Sequence, residues 1–185
     1  MKQVLFFLLF LATATTTLSA QKYFTRAGHI IFSSDTSIEK IEAKNYKATC
    51  VVDAEVGQMA FAVLIKAFAF EKALMQEHFN ENYMESGKFP KATFKGSIDN
   101  MATIDLGKDG TYLAQIKGEM TIHGVTQPVE TEGAFVVKNG KISATANFIV
   151  HTQDYDIDIP AVVRDNIAKE IMVDVAVNLE PLKTK

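Results

Sequence analysis

The sequence lacks the features on which several classes of protein depend. Cys50 is the single cysteine among 185 residues, so the chain cannot form an internal disulfide. The formal net charge is −3 and no segment concentrates Lys and Arg. Nucleic-acid binding is therefore not expected, because cationic contacts to phosphates supply most of that affinity. The glycine loops of nucleotide-binding proteins and the Gly-x-Ser-x-Gly turn of many hydrolases are also absent.

The histidines do not form a recognisable metal site. His29, His78, His123 and His151 are far apart in the sequence, and neither a His-x-His nor a His-x-x-x-His pair is present. We therefore expect no metal and no cofactor. No spacing of carboxylates, or of a nucleophile and a base, suggests acid–base chemistry. The chain is expected not to be an enzyme.

The first 20 residues have the layout of a secretory signal peptide. A lone cation, Lys2, precedes an apolar run over residues 4–11, and small residues follow up to Ala20. We predict a signal peptide over residues 1–20, cleaved after Ala20 or alternatively after Ser19, and one mature domain over 21–185. The apolar run is too short to span a bilayer, which takes about 20 residues. We expect an exported protein, in the periplasm or alternatively outside the cell, whose mature chain has no membrane-spanning segment.

Alternation of apolar and polar residues dominates the mature chain. Residues 171–180 are the clearest case, with Ile, Val and Leu at odd positions and mostly polar residues between them. Such alternation predicts a strand with one buried face. Further strand-like segments are 28–34, 42–53, 57–70, 94–98, 112–122, 129–137 and 145–151. Together they predict about eight antiparallel strands, in a barrel or a sandwich.

The segment around the single cysteine is one of these predicted strands. Alternation places Tyr46, Ala48, Cys50 and Val52 on the same face. Free cysteines are commonly buried and behave as small apolar residues. We therefore predict a buried thiol without a chemical role.

Two segments break the strand pattern, and two dipeptides predict tight turns. Residues 71–84 lack β-branched residues, Gly and Pro, and their apolar residues recur at helical spacing. This predicts a short amphipathic helix. A second helical turn is predicted near 164–168. Asp109-Gly110 and Asn139-Gly140 each predict a hairpin, because such pairs supply the positive φ that tight turns need.

A closed barrel is the expected architecture, because an antiparallel sheet must protect its edges and eight strands suffice for closure. An eight-stranded barrel is either filled by its own side chains or holds one small ligand. Small residues on the predicted inner faces would leave room for a ligand, whereas the large apolar residues would fill the interior. The residues alone leave both alternatives open. The small inner residues are Gly96, Ala114, Gly118, Gly133, Ala144 and Ala146.

Three stretches of the chain resemble a known family. Residues 85–96 (ESGKFPKATFKG) and 118–129 (GEMTIHGVTQPV) are similar to two signature stretches of the YceI-like family, and 154–160 (DYDIDIP) is similar to variants of that family. The resemblance covers essentially the whole mature chain. It implies an all-β fold: an eight-stranded antiparallel, lipocalin-like barrel with a helix near its mouth, in an exported bacterial protein.

The same resemblance implies an interior tunnel, which in characterised members holds a long polyisoprenoid or a similar amphiphilic chain. The partner expected from it is an amphiphilic lipid or isoprenoid. The residues that we expect to line the tunnel are Phe61, Val63, Ile65, Phe79, Phe94, Ile116, Phe148 and Val173. His123 is a candidate for a polar contact with the ligand, and the alternative is that it shapes the turn before Gly124.

The sequence leaves three functions to be weighed. The first is an exported, non-catalytic protein that sequesters or carries a long apolar chain such as a polyisoprenoid or an isoprenoid quinone. The second is a structural or interaction barrel with a filled core. The third is an enzyme acting on a lipid or quinone, with His78 and His123 as acid–base groups. The sequence does not decide between a monomer and a homodimer.

Overall fold

The computed structural model describes residues 22–182, and its strands all pair in one antiparallel sheet. The predicted signal peptide, residues 1–20, lies outside the described residues. The strands are β1 (Lys22–Asp35), β2 (Lys40–Asp53), β3 (Gln58–Leu64), β4 (Ala69–Phe70), β5 (Lys91–Ile98), β6 (Gly110–Ile122), β7 (Val125–Lys138), β8 (Lys141–His151) and β9 (Glu170–Pro181).

Eight of these strands close into a barrel. Their order is β1-β9-β8-β7-β6-β5-β3-β2, and β1 pairs with β2 to complete the ring. The two-residue β4 pairs with Ala43 and Lys44 of β2, beyond the part of β2 that pairs with β3. Closure removes the exposed edges of an open sheet. The predicted eight-stranded antiparallel barrel is confirmed.

The last strand shows how the alternating sequence is buried. Its odd-numbered residues point into the barrel, and its even-numbered residues are exposed. The inward side chains of Val177 and Leu179 are 4% and 5% exposed. Val173 and Val175, earlier in the strand, are only half-buried, and Val173 borders the larger of two cavities inside the barrel. The dense core therefore lies toward the end of β9, and the hollow part toward its start.

The connections at the two ends of the barrel differ in size. One end carries the long β3–β5 and β8–β9 connections, residues 65–90 and 152–169. The opposite end carries the β5–β6 connection, residues 99–109, whose Ile104 and Leu106 are buried in the core. We call the first end the mouth and the second the closed end.

The predicted helix over 71–84 is confirmed, although its ends differ from the expectation. Helix α1 spans Ala73–His78 and continues into a wider π-helical turn over Phe79–Tyr83. It begins at Ala73 because Phe70 still pairs with β2 and Lys72 has an extended backbone (φ −103°, ψ 124°). Within residues 22–182, no helix is long and apolar enough to cross a membrane.

The second predicted helical turn, near 164–168, begins earlier than expected. A 3₁₀ helix spans Ala161–Asn166. Pro160 precedes it with φ −55°, and the Pro160 carbonyl accepts a hydrogen bond from the Val163 N–H at 3.1 Å. Proline favours the start of a helix because its φ is already helical. The turn therefore starts directly after Pro160.

One of the two predicted hairpins is confirmed and the other is wrong. Asn139-Gly140 joins β7 to β8, and both residues have positive φ (51° and 71°). Asp109-Gly110 does not form a hairpin, because β5 already ends at Ile98 and the chain crosses the closed end before β6 begins at Gly110.

The face assignment around the cysteine is correct for three residues and wrong for the fourth. Ala48, Cys50 and Val52 are buried, whereas Tyr46 is 50% exposed. The pairing of β2 with β1 shifts between Asn45 and Ala48, where a bulge inserts an additional residue. A bulge reverses the alternation locally, so Tyr46 points outward.

Candidate functional site

The main cavity lies in the mouth half of the barrel and has a volume of about 310 Å³. Inward residues of the strands form its walls, and α1, the π-helical turn and the β8–β9 connection cover it. We call it the upper cavity. This volume is at the lower end of the range of about 300–1,000 Å³ for small-molecule sites. The apolar residues that line it are Ile30, Phe32, Ile41, Val63, Ile65, Phe68, Phe70, Met75, Phe79, Met84, Ala92, Met120, Ile122, Phe148, Val150, Ile157, Ile159, Val163, Ile167, Ile171 and Val173.

A second cavity of about 100 Å³ lies deeper in the barrel, toward the closed end. We call it the lower cavity. Its lining includes Phe61, Phe94, Ile116, Ala144 and Ala146, and no charged residue. Five residues line both cavities and so form a waist between them. The waist residues are Ile30, Val63, Ala92, Met120 and Phe148.

Aromatic packing fixes the cover over the upper cavity. Phe79, on the π-helical turn, packs against three other rings, with centroid separations of 5.3 Å to Phe32, 5.7 Å to Phe68 and 5.0 Å to Phe70. Each such pair adds about 0.5–1.5 kcal/mol beyond the buried area. The helical segment, β1 and the β3–β5 connection are thereby joined into one apolar roof.

The polar groups of the upper cavity lie toward its mouth. Glu39, in the β1–β2 turn, accepts hydrogen bonds from Lys72 Nζ at 3.0 Å and from Asn166 Nδ2 at 3.3 Å. These two contacts hold the pKa of Glu39 below its usual value, so the carboxylate is ionised at neutral pH. Ser34 Oγ accepts a hydrogen bond from the Ala168 N–H at 2.7 Å. Through these hydrogen bonds to Glu39, the β1–β2 turn contacts both the β3–β5 and the β8–β9 connections at the barrel rim.

All eight residues expected to line a tunnel border the cavities. Ile65, Phe79 and Val173 border the upper cavity, and Val63 and Phe148 border both. The remaining three, Phe61, Phe94 and Ile116, border the lower cavity. Their contact with a ligand stays a prediction.

His123 lies outside the lining of both cavities. It occupies the β6–β7 turn with φ 52°. Its Nε2 is 3.1 Å from Glu85 Oε2, its Nδ1 is 3.2 Å from the Tyr155 carbonyl oxygen, and its ring packs edge-on against Phe89 with a centroid separation of 4.6 Å. These contacts join the turn to both long connections. The arrangement corresponds to the turn-shaping alternative, and a polar contact of His123 with a ligand stays a prediction.

The two histidines of the enzyme hypothesis are not brought together. His78 borders the upper cavity and His123 does not. The described residues also contain no group of three or more His, Cys, Asp or Glu side chains that could hold a metal ion. The site offers apolar walls and a polar rim.

The sequence identified Ile65 and Phe79 among the residues that the connections contribute to the lining, but it missed most of the others. Met75 and Tyr83 come from the helical segment, and Ile157, Val163 and Ile167 come from the β8–β9 connection. Their inward direction depends on how these connections fold back over the mouth. A partial signal exists at Ile157, since apolar residues alternate with aspartates from Asp154 to Asp158.

The sequence model of the YceI-like domain family matches residues 13–179 of the chain. No curated protein matches it.

Solved structures share the barrel at low sequence identity. A polyisoprenoid-binding domain from Saccharophagus degradans, implicated in plant cell wall breakdown, is 14% identical with a TM-score of 0.76, over 88% of this chain and 99% of that one. BcnA from Burkholderia cenocepacia is 12% identical with a TM-score of 0.68, over 83% and 96%. The YCEI protein of Campylobacter jejuni is 15% identical with a TM-score of 0.54, over 99% and 94%. At these identities the likeness shows a common fold.

Proposed function

This chain belongs to the YceI-like family, and we propose from that premise that it is a non-catalytic binding protein for an amphiphilic lipid. The ligand's apolar chain, a polyisoprenoid, an isoprenoid quinone or a similar lipid, enters the barrel from the mouth. The polyisoprenoid-binding domain of Saccharophagus degradans, which has the same fold, supports this class of ligand.

The hollow interior is the observation that carries the proposal. An upper cavity of about 310 Å³ and a lower one of about 100 Å³ lie in line inside the barrel, with apolar walls. Each buried CH₂ contributes about 0.8 kcal/mol, so ten buried carbons contribute about 8 kcal/mol before the costs of association. Apolar contact with the walls is therefore the main source of binding free energy for such a chain. The filled-core alternative is disfavoured by the same cavities.

The proposal includes export and a carrier role. The apolar segment within residues 1–20 supports export, and we propose the periplasm as the location. A protein that shields an apolar chain from water there would sequester the lipid or carry it between membranes. The ligand is held without a covalent bond, and no catalytic group is required.

Phe148 provides the test, because it borders both cavities. We expect Phe148→Arg to abolish binding of farnesol, measured by displacement of the apolar fluorophore N-phenyl-1-naphthylamine, since a buried cation opposes apolar contacts. The matched control is Ile149→Arg, one residue along β8, whose side chain is 47% exposed. Circular dichroism of both variants checks that they are folded before binding is compared. Retention of farnesol by folded Phe148→Arg would contradict the proposed binding site.

A further inference from the structure

The charge of the lining is distributed unevenly inside the proposed binding site. Within residues 22–182, Glu39 is the one formally charged residue that borders the upper cavity, and neither Lys nor Arg borders either cavity. The other polar side chains of the upper cavity are uncharged hydroxyl, amide and imidazole groups. They belong to Ser34, His78, Tyr83, Thr152 and Asn166.

Glu39 lies at the junction of the cavity and solvent. Its side chain is 25% exposed and also borders the upper cavity. The nearest cation, Lys72, is 64% exposed, does not border the cavity, and has its ammonium group 3.0 Å from a Glu39 carboxylate oxygen. A lipid phosphate at the mouth would have to compete with that carboxylate for Lys72. A neutral head group has no such competition.

The surface around the mouth also carries a net negative charge. The three segments that surround it, residues 35–40, 65–90 and 152–169, together carry ten acidic and six basic side chains. Fields of one sign around a cleft favour ligands of opposite or no charge. The rim and its surroundings therefore both oppose an anionic head group.

We propose that this chain selects lipids with an uncharged polar head group, such as an alcohol or a quinone carbonyl, against phosphate esters of the same chain, and that Glu39 is the residue that sets this preference. This inference rests on the proposed function and names its ligand class. The amide of Asn166 and the hydroxyl groups of Tyr83 and Thr152 are suited to hydrogen bonds with a neutral oxygen.

The test compares ligands that share one chain. Farnesol, farnesyl phosphate and farnesyl diphosphate are titrated against the purified protein at pH 7.5, with binding measured by displacement of N-phenyl-1-naphthylamine. We expect farnesol to bind at least tenfold more tightly than farnesyl phosphate. Equal or tighter binding of either phosphate would overturn this inference and leave the proposed function standing. Absence of farnesol binding would instead overturn the proposed function, and the inference with it.

A variant at the rim tests the role of the carboxylate. We expect Glu39→Gln to reduce the preference for farnesol over farnesyl phosphate at least threefold, mainly through tighter binding of the phosphate. The matched control is Glu132→Gln, which makes the same change in charge at an exposed position of β7. An unchanged preference in Glu39→Gln, or an equal change in Glu132→Gln, would overturn the assignment to Glu39.

Salt provides a second readout for the same proposal. Screening lengths fall from about 10 Å at 0.1 M to about 3 Å at 1 M ionic strength. Discrimination that arises from charge at an exposed rim therefore decreases as salt increases. A preference for farnesol that is independent of salt would overturn the electrostatic origin proposed for it.

Discussion

The thiol of Cys50 illustrates how burial controls chemistry at the scale of one residue. Its side chain is fully buried, and burial raises its pKa to about 12. Because the thiolate is the reactive form, we expect the native protein not to react with Ellman's reagent at pH 8. One thiol per chain should react after denaturation.

An exposed thiol provides the control for this prediction. A Cys50→Ala/Asn147→Cys variant carries its thiol at an exposed position of β8 and should react without denaturant. Rapid stoichiometric labelling of Cys50 in the native wild type would show that the interior near the lower cavity is open to water.

The glycines on the inner face of the barrel illustrate a feature that local sequence pattern does not predict. The inner glycines left open whether the interior holds a ligand or its own side chains, and a Cβ on Gly96 or Gly118 would lie 2.6 Å or 2.8 Å from Phe94 Cζ. The Phe94 ring therefore occupies the space next to these two glycines. Gly96 and Gly118 are directly paired across β5 and β6, and that register is a long-range property which local alternation does not determine.

At the scale of elements, the β6–β7 and β7–β8 turns offer a matched pair of glycine substitutions. Gly124 and Gly140 both have positive φ (80° and 71°), so alanine at either position costs about 1 kcal/mol of backbone strain. A Cβ on Gly124 would lie 2.5 Å from the Phe89 ring, whereas a Cβ on Gly140 has no atom within 4 Å. We expect Gly124→Ala to lower the free energy of unfolding by about 1–3 kcal/mol more than Gly140→Ala, as measured by urea denaturation. Equal losses would contradict the packing of Phe89 on the β6–β7 turn.

The waist between the cavities predicts a limit on chain length. Met120, on β6, borders both cavities, and Met120→Ala would join them. In a series of straight-chain alcohols we expect affinity to stop increasing at a longer chain in this variant than in the wild type, as measured by probe displacement. The control is Met172→Ala, at a 40% exposed position of β9. Identical length profiles in all three proteins would mean that the waist does not limit the chain.

Elements were predictable where local pattern determines them. Alternation identified the barrel strands, although a 3₁₀ turn at Ile65–Ala67 interrupts the predicted strand 57–70. The absence of β-branched residues identified the helix. The Asp109-Gly110 prediction was wrong because a dipeptide does not show where the preceding strand ends. The face of Tyr46 was wrong because a bulge in β2 depends on pairing with β1. Both errors concern contacts between segments rather than preferences within one.

At the scale of the whole molecule, the candidate site arises from an asymmetry between the two barrel ends. Large apolar residues of the β5–β6 connection fill the closed end, while the mouth is covered by a helix and by the β8–β9 connection. The wall residues of the site could be predicted, because strand alternation places them inward. Of the cover, only Phe79 was predicted, because residues such as Val163 and Ile167 reach the cavity through the path of a long connection.

The central claim is that the barrel holds the chain of a lipid. Native mass spectrometry of the protein purified from a bacterial host, followed by solvent extraction, tests it most directly. We predict a noncovalent adduct of one lipid per chain, which extracts as a long-chain isoprenoid, a quinone or a similar lipid, and which folded Phe148→Arg lacks. An unliganded mass for the wild type, both as purified and after incubation with farnesol, would contradict the claim.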